Sequence, residues 1–175
     1  WIWKNTNTKY IGLNHYRRFF YSNEIKSMDN YLDLEHIENF LEEYDIILPV
    51  TYLIDNFTLL DHLKQTINQE LCQKGYLIIR SKIKKYQPDY LEAFDSVMTG
   101  YSMFLCNMFV TKREILNGYC EWLFSFLIEA AEETDVDGYD DYSQRVIGFF
   151  AERMLTVWLR KNRLKIKQLP FVIVK

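Results

Sequence analysis

Three features of the sequence predict a single α/β or α+β domain spanning residues 1–175. Short runs of β-branched and aromatic residues are bounded by turn signals. Between them, apolar positions recur at helical spacing. Only 6 glycines and 3 prolines interrupt 175 residues that are 49% hydrophobic. That much apolar material suffices for one buried core, and the low Gly and Pro content excludes a disordered or low-complexity chain.

In chain order, Tyr10 to Tyr16 is rich in β-type residues without a helical stripe, so it reads as a short strand ending at the polar cluster His15, Arg17 and Arg18. Leu32 to Tyr44 places Leu34, Ile37, Phe40 and Leu41 on one helical face, with Asp33 as N-cap. Asp45 to Pro49 then gives a buried strand stopped by proline. Thr58 with Asp61 three residues later forms a capping box that opens a helix expected to run to about Cys72. A second helix covers Tyr76 to Tyr86, and Pro88-Asp89 starts another.

Met103 to Thr111 is an apolar run holding the single polar residue Asn107, expected as a buried strand or strand pair. Lys112 to Glu133 carries a broad apolar stripe and is expected as one long helix. Asp135 to Asp141 is a loop, Tyr142 to Asn162 a second long helix, and Leu164 to Val174 an edge strand.

Charge and cysteine content narrow the function classes. The net charge of −3 argues against a nucleic-acid-binding domain. Three scattered cysteines (Cys72, Cys106, Cys120) suggest neither a disulfide framework nor a metal knuckle, which fits a reducing cytoplasm. No apolar run approaches the roughly 20 residues that span a bilayer. The charge is uneven: seven acids and no base lie between Glu129 and Asp141, and six bases and no acid between Arg153 and Lys167.

Several residues carry candidate chemistry. Two guanidiniums and an imidazole at a strand end (His15, Arg17, Arg18) can bind a diphosphate through charge-assisted bonds, or form a solvated turn. Asn107 needs a partner if buried, either backbone or a ligand hydroxyl. Arg145, Phe149 and Glu152 share one helical face. That face is either an ordinary ion pair or a carboxylate against an aromatic wall, suited to general base work. Asp135-Val136-Asp137 has the form of a metal-holding D-x-D but lies in an acidic loop between helices, so a solvated loop is the favoured reading. His36 and His62 stand without further ligands at metal spacing and read as structural.

One ordered set of motifs is specific in combination: Trp1-Ile2-Trp3-Lys4-Asn5, Tyr10-Ile11-Gly12, His15-Tyr16-Arg17-Arg18-Phe19-Phe20, Tyr44 to Pro49, Asn107 to Val110, Tyr119 to Phe124 and Arg145 to Arg153. In this set the chain resembles the DUF4422 family. That family is associated with capsular and exopolysaccharide gene clusters and with glycosyl transfer, including galactofuranosyl transfer from a UDP-sugar.

The resemblance implies a GT-A-like mixed sheet flanked by helices. It also implies that a nucleotide-binding N-terminal portion precedes Trp1 in the full protein, without which residues 1–175 alone are expected to be inactive. The implied enzyme is a cytoplasmic glycosyltransferase for capsule, exopolysaccharide or O-antigen synthesis. It takes a hexose, galactofuranose among the candidates, from a UDP-sugar to a lipid-linked saccharide acceptor, with the basic C-terminal segment at the inner leaflet of the membrane.

In that scheme His15, Arg17 and Arg18 neutralise donor phosphate, Asn107 orients a sugar hydroxyl, Arg145 also binds substrate, and Glu152 is the carboxylate that deprotonates the acceptor. A divalent Mg or Mn ion is an alternative source of charge stabilisation for the leaving diphosphate. The rival reading is a non-catalytic carbohydrate-binding or assembly subunit, which donor binding would distinguish. The sequence departs from the family where a His usually precedes an Asp-Leu pair; here the stretch reads Thr66-Ile67-Asn68-Gln69-Glu70-Leu71.

Overall fold

The computed structural model describes residues 1–21 and 31–174. After a single helical turn, α1 (Ile2–Asn5), the chain forms β1 (Tyr10–Leu13) and β2 (Arg18–Phe20). Helix α2 (Leu34–Glu43) starts where expected, because the Asp33 side chain accepts from the His36 backbone N–H and satisfies one of the first-turn donors. Strand β3 (Ile46–Pro49) is buried at every position and ends at the proline.

Strand β4 (Tyr52–Leu53) leads to α3 (Leu59–Thr66), whose Thr58 cap accepts from Asp61 N. The expected helix to Cys72 ends six residues early. Ile67 is extended, and Asn68 starts α4 (Gln69–Tyr86) by accepting from Leu71 N, while its own N–H donates to Ser143 Oγ at 3.0 Å. Gly75, at the expected interruption, lies inside α4. A Cβ there would meet Val146 Cγ2 at 3.0 Å and Phe150 Cε2 at 3.1 Å, so this glycine serves helix packing and breaks nothing. A 3₁₀ turn at Pro88–Tyr90, α5 (Leu91–Met98) and β5 (Ser102–Met103) follow.

The apolar run from Met103 is no continuous strand. Cys106 (φ 66°) and Asn107 (φ 50°) turn the chain through the left-handed region before β6 (Phe109–Lys112). The helix expected over Lys112 to Glu133 is two, α6 (Arg113–Phe124) and α7 (Leu127–Glu133). Between them Ser125 Oγ donates to the Trp122 carbonyl and accepts from Gln87 Nε2. Phe126 leaves helical geometry at φ −137° with its ring fully buried. A 3₁₀ turn (Ser143–Arg145) opens α8 (Val146–Asn162). The expected terminal strand divides at Pro170, which lacks an N–H, into β7 (Ile166–Leu169) and β8 (Phe171–Ile173).

Two compact units result. The first comprises Trp1–Thr51, Phe104–Gly118 and Arg163–Lys175. It holds a four-stranded mixed sheet of order β1-β6-β3-β7, antiparallel except for the parallel β3–β7 pair, and a separate β2–β8 ribbon. Its core packs Phe20, Leu41, Ile47, Met108, Val110 and Leu169, with α2 against the sheet. Asp45 fixes the parallel pairing: its N–H donates to the Lys165 carbonyl at 2.8 Å, its Oδ2 accepts from Lys165 N, and its carbonyl accepts from the buried Thr111 hydroxyl.

The second unit, Tyr52–Met103 and Tyr119–Asn162, is helical around the short β4–β5 pair. Aromatic contacts fill its interior, including Tyr76 on Phe94 and Tyr119 against Trp158. Lys82 ties α4 to Glu129 and Glu133 of α7, and Arg80 makes a two-pronged bond to Asp95.

Candidate functional site

In the first unit the basic cluster forms a tight turn between β1 and β2. Arg18 N donates to the His15 carbonyl at 3.0 Å, and Arg17 N donates to His15 Nδ1 at 3.3 Å. The far side of the turn is held by Val174 N donating to the Arg17 carbonyl, an extension of the β2–β8 pairing. Arg17 is exposed, its guanidinium 4.9 Å from the Tyr16 ring, whereas His15 and Arg18 are half-buried.

Arg18 is held from two sides. Its Nη1 donates to Cys106 Sγ at 2.9 Å, and the guanidinium lies 5.9 Å from the Phe171 ring centroid. Its Nε is buried and bonds to nothing. In the next residue after Cys106, Asn107 Oδ1 is likewise buried without a donor. Of the two partners the sequence allows, no backbone donor reaches this oxygen. One corner of the unit thus holds an unused guanidinium donor and an unused amide acceptor, on a backbone with two consecutive non-glycine residues at positive φ. An unpaired buried polar atom costs about 1–3 kcal/mol, and strained backbone of this kind concentrates at ligand sites.

In the second unit, Arg145 ends the 3₁₀ turn before α8, its guanidinium 5.8 Å from the Tyr142 ring and 5.5 Å from the Phe149 ring. Arg145 and Phe149 therefore share a face, as their spacing predicts. Glu152 is half-buried one turn further on. Arg153, next to it, was counted among the six surface bases of the C-terminal segment; it is instead 4% exposed. Its Nη1 donates to the Phe149 carbonyl, and its Nε is buried without a partner. Burial pushes this guanidinium below the usual arginine range, while the Glu152 carboxylate pulls it back up. Of the other five bases, Arg160, Lys161, Arg163 and Lys165 are exposed, and Lys167 lies over the Phe40 and Tyr44 rings.

Two carboxylates of the acidic loop serve local turns. Asp135 Oδ1 accepts from Asp137 N, and Asp140 Oδ1 accepts from Tyr142 N and Ser143 N; the bonds from Ser143 hold the Asp140 carboxyl below its usual range. Among the described residues, no group of three or more His, Cys, Asp or Glu side chains is placed to hold a metal ion. Also among the described residues, no helix is long and apolar enough to cross a membrane.

Residues 1–163 match the family described as a domain of unknown function, DUF4422. The chain belongs to the DUF4422 family. A solved structure, WbbM, described as a bifunctional glycosyltransferase in its apo form, is similar over the whole of this chain, with a TM-score of 0.83 and 27% sequence identity. The DUF4422 chain spans 35% of the length of WbbM. Comparison with curated proteins finds no match. The mixed α/β architecture with helices flanking a four-stranded sheet agrees with the class the sequence predicts.

Two further residues, one in each unit, escaped the sequence reading. Cys106 had no visible role, because its partner Arg18 is 88 positions away. Arg153 was read as part of a basic stripe, although its place inside the apolar stripe of α8, between Phe150 and Val157, was a signal for burial.

Proposed function

We propose that this chain is part of a glycosyltransferase that, as the full-length protein, moves a hexose, galactofuranose among the candidates, from a UDP-sugar to a growing surface polysaccharide. The observation that carries the reading is the pair of unsatisfied atoms beside the basic turn, Arg18 Nε and Asn107 Oδ1. A guanidinium donor suits a phosphate oxygen and an amide acceptor suits a sugar hydroxyl, so a nucleotide-sugar supplies both missing partners. Similarity to WbbM supports the same reading.

In this scheme His15, Arg17 and Arg18 offset the charge that develops on the leaving diphosphate. Glu152 takes the proton of the acceptor hydroxyl, so that the new glycosidic bond forms at the anomeric carbon as the bond to UDP breaks. Arg145 helps to fix the acceptor side. The acceptor is proposed to be lipid-linked, with the exposed Arg160, Lys161, Arg163 and Lys165 resting on the inner leaflet of the membrane.

The test is transfer from UDP-hexoses by the full-length protein, wild type against Glu152→Gln. Turnover by wild type, with kcat sharply reduced and donor binding retained in the variant, is the expected result. A wild-type protein that binds no UDP-sugar removes the reading.

A further inference from the structure

In the second unit, the β4–β5 pair, the loop after β4 and the residue before β5 present four large apolar side chains to solvent: Tyr52 is 44% exposed, Leu53 68%, Phe57 42% and Tyr101 56%. Their backbone is fixed. Tyr52 pairs with Met103 and Leu53 with Ser102, Ile54 N donates to the Tyr101 carbonyl at 2.8 Å, and Leu59 N donates to the Gly100 carbonyl at 2.8 Å. Met103, opposite Tyr52, and Ile54, opposite Tyr101, are 2% and 8% exposed and anchor the pair beside the two tyrosines. Among the described residues, none of the three rings stacks on another aromatic.

Rigid, solvent-facing aromatic rings cost little entropy to dock against and offer a flat π-face. The polar groups around them select the partner. Across residues 52–58 and 99–102 the only charged side chain is Asp55, and there is no base. An anionic partner such as a phosphate or a lipid headgroup finds no counter-charge here. A neutral polyhydroxylated ligand fits: the C–H face of a sugar ring stacks on an aromatic, while the Asp55 carboxylate and the Asn56 amide, exposed on a turn at φ 68°, bond its hydroxyls.

We propose that Tyr52, Phe57 and Tyr101 form a stacking surface for the acceptor saccharide, with Asp55 and Asn56 as its hydroxyl-binding groups. The assignment of this saccharide as an acceptor rests on the glycosyltransferase reading; the surface itself stands on its own geometry.

Saturation-transfer NMR on the full-length protein, with short linear galacto-oligosaccharides as one probe and UDP as a second, separates the two. Wild type is expected to transfer saturation to the ring C–H protons of the oligosaccharides. Phe57→Ala and Tyr101→Ala are each expected to weaken binding about fivefold, Tyr101→Trp to keep it, and UDP binding to stay unchanged throughout. Oligosaccharide binding without UDP binding would retain the surface and overturn the proposed function. A double Phe57→Ala, Tyr101→Ala variant that binds oligosaccharide as wild type does, or a wild type that binds none, overturns the surface.

Discussion

Arg18 Nη1 donates to Cys106 Sγ at 2.9 Å, joining the first residue of β2 to the left-handed corner before β6 while Arg18 Nε is left without a partner. The sulfur holds one edge of the guanidinium, so the remaining donor is oriented before any ligand arrives. Pre-orientation of this kind reduces the entropy lost on binding.

Replacing Arg18 by Ala is therefore expected to weaken UDP-hexose binding by at least about tenfold, since one charge-assisted contact is worth about 1.5–3 kcal/mol. Arg18→Lys should not restore it, because a lysine ammonium cannot bond the sulfur and the ligand with the same planar fork. Arg17→Ala is expected to show a loss of similar size. Titration calorimetry on the folded full-length variants decides: unchanged affinity would return both arginines to a structural or solvated role.

Asn107 separates stability from binding. Its Oδ1 is buried and unpaired, and its φ of 50° suits glycine. Asn107→Gly should thus leave the unfolding free energy unchanged or raise it by up to about 1 kcal/mol, while weakening donor binding. If denaturant titration finds this variant destabilised by more than about 1 kcal/mol, the amide is holding the corner together and has no ligand to serve.

Gly75 is a packing position in the second unit. Alanine would gain up to about 1 kcal/mol of helix propensity but would press a methyl against Val146 and Phe150, and overpacking costs about 1–3 kcal/mol. Gly75→Ala is expected to lower stability on balance, and Gly75→Ala with Val146→Ala to recover part of the overpacking loss. A single variant as stable as wild type in urea would mean that α4 and α8 shift apart freely.

How much of this was legible depended on distance along the chain. The Asp33 and Thr58 caps and the buried Ile46–Pro49 strand were readable because cap, period and proline stop are local signals. The helix break at Ile67 and Asn68 was not, since part of its stabilisation comes from Ser143, 75 positions on. Nor was the break at Ser125, which is held by Gln87. The same holds at the site. His15, Arg17 and Arg18 stood out by composition, whereas Cys106 gains meaning only when the β2–β8 ribbon and the β6 corner are in place.

The Lys82 network predicts an acid-sensitive element. The hydrogen bond from Lys82, aided by Tyr86, lowers the Glu129 carboxyl to about 2. A folded value below the unfolded one, about 4.3, means that the stabilisation is present above pH 4.3 and is lost as pH falls toward 2. The Lys82 ammonium is raised by its bonds to Glu129 and Glu133, so its contribution fails only at strongly alkaline pH. Thermal unfolding midpoints should therefore fall between about pH 4.3 and 2, with a shallower fall in Glu129→Gln. Equal slopes in variant and wild type would show that this ion pair contributes nothing to folding.

The last expectation concerns the basic end of α8. Of the six bases between Arg153 and Lys167, Arg153 is buried and Lys167 lies over Phe40 and Tyr44, leaving Arg160, Lys161, Arg163 and Lys165 exposed. Arg160 also donates to Ser96 Oγ, which holds its guanidinium near α5. Each base near an anionic surface contributes about 1 kcal/mol, so four give reversible attachment of a few kcal/mol, weakened by salt. Bases that only complement the α8 dipole would stop at the helix end, yet Lys165 lies beyond Asn162, where α8 terminates. Co-sedimentation with phosphatidylserine-containing vesicles is expected to show binding at low salt, loss of binding at high salt, and little binding when Arg160, Lys161, Arg163 and Lys165 are changed to Gln. Wild-type protein that stays in the supernatant at low salt, or a variant that sediments as well as wild type, would show that these bases serve the helix end and not a membrane surface.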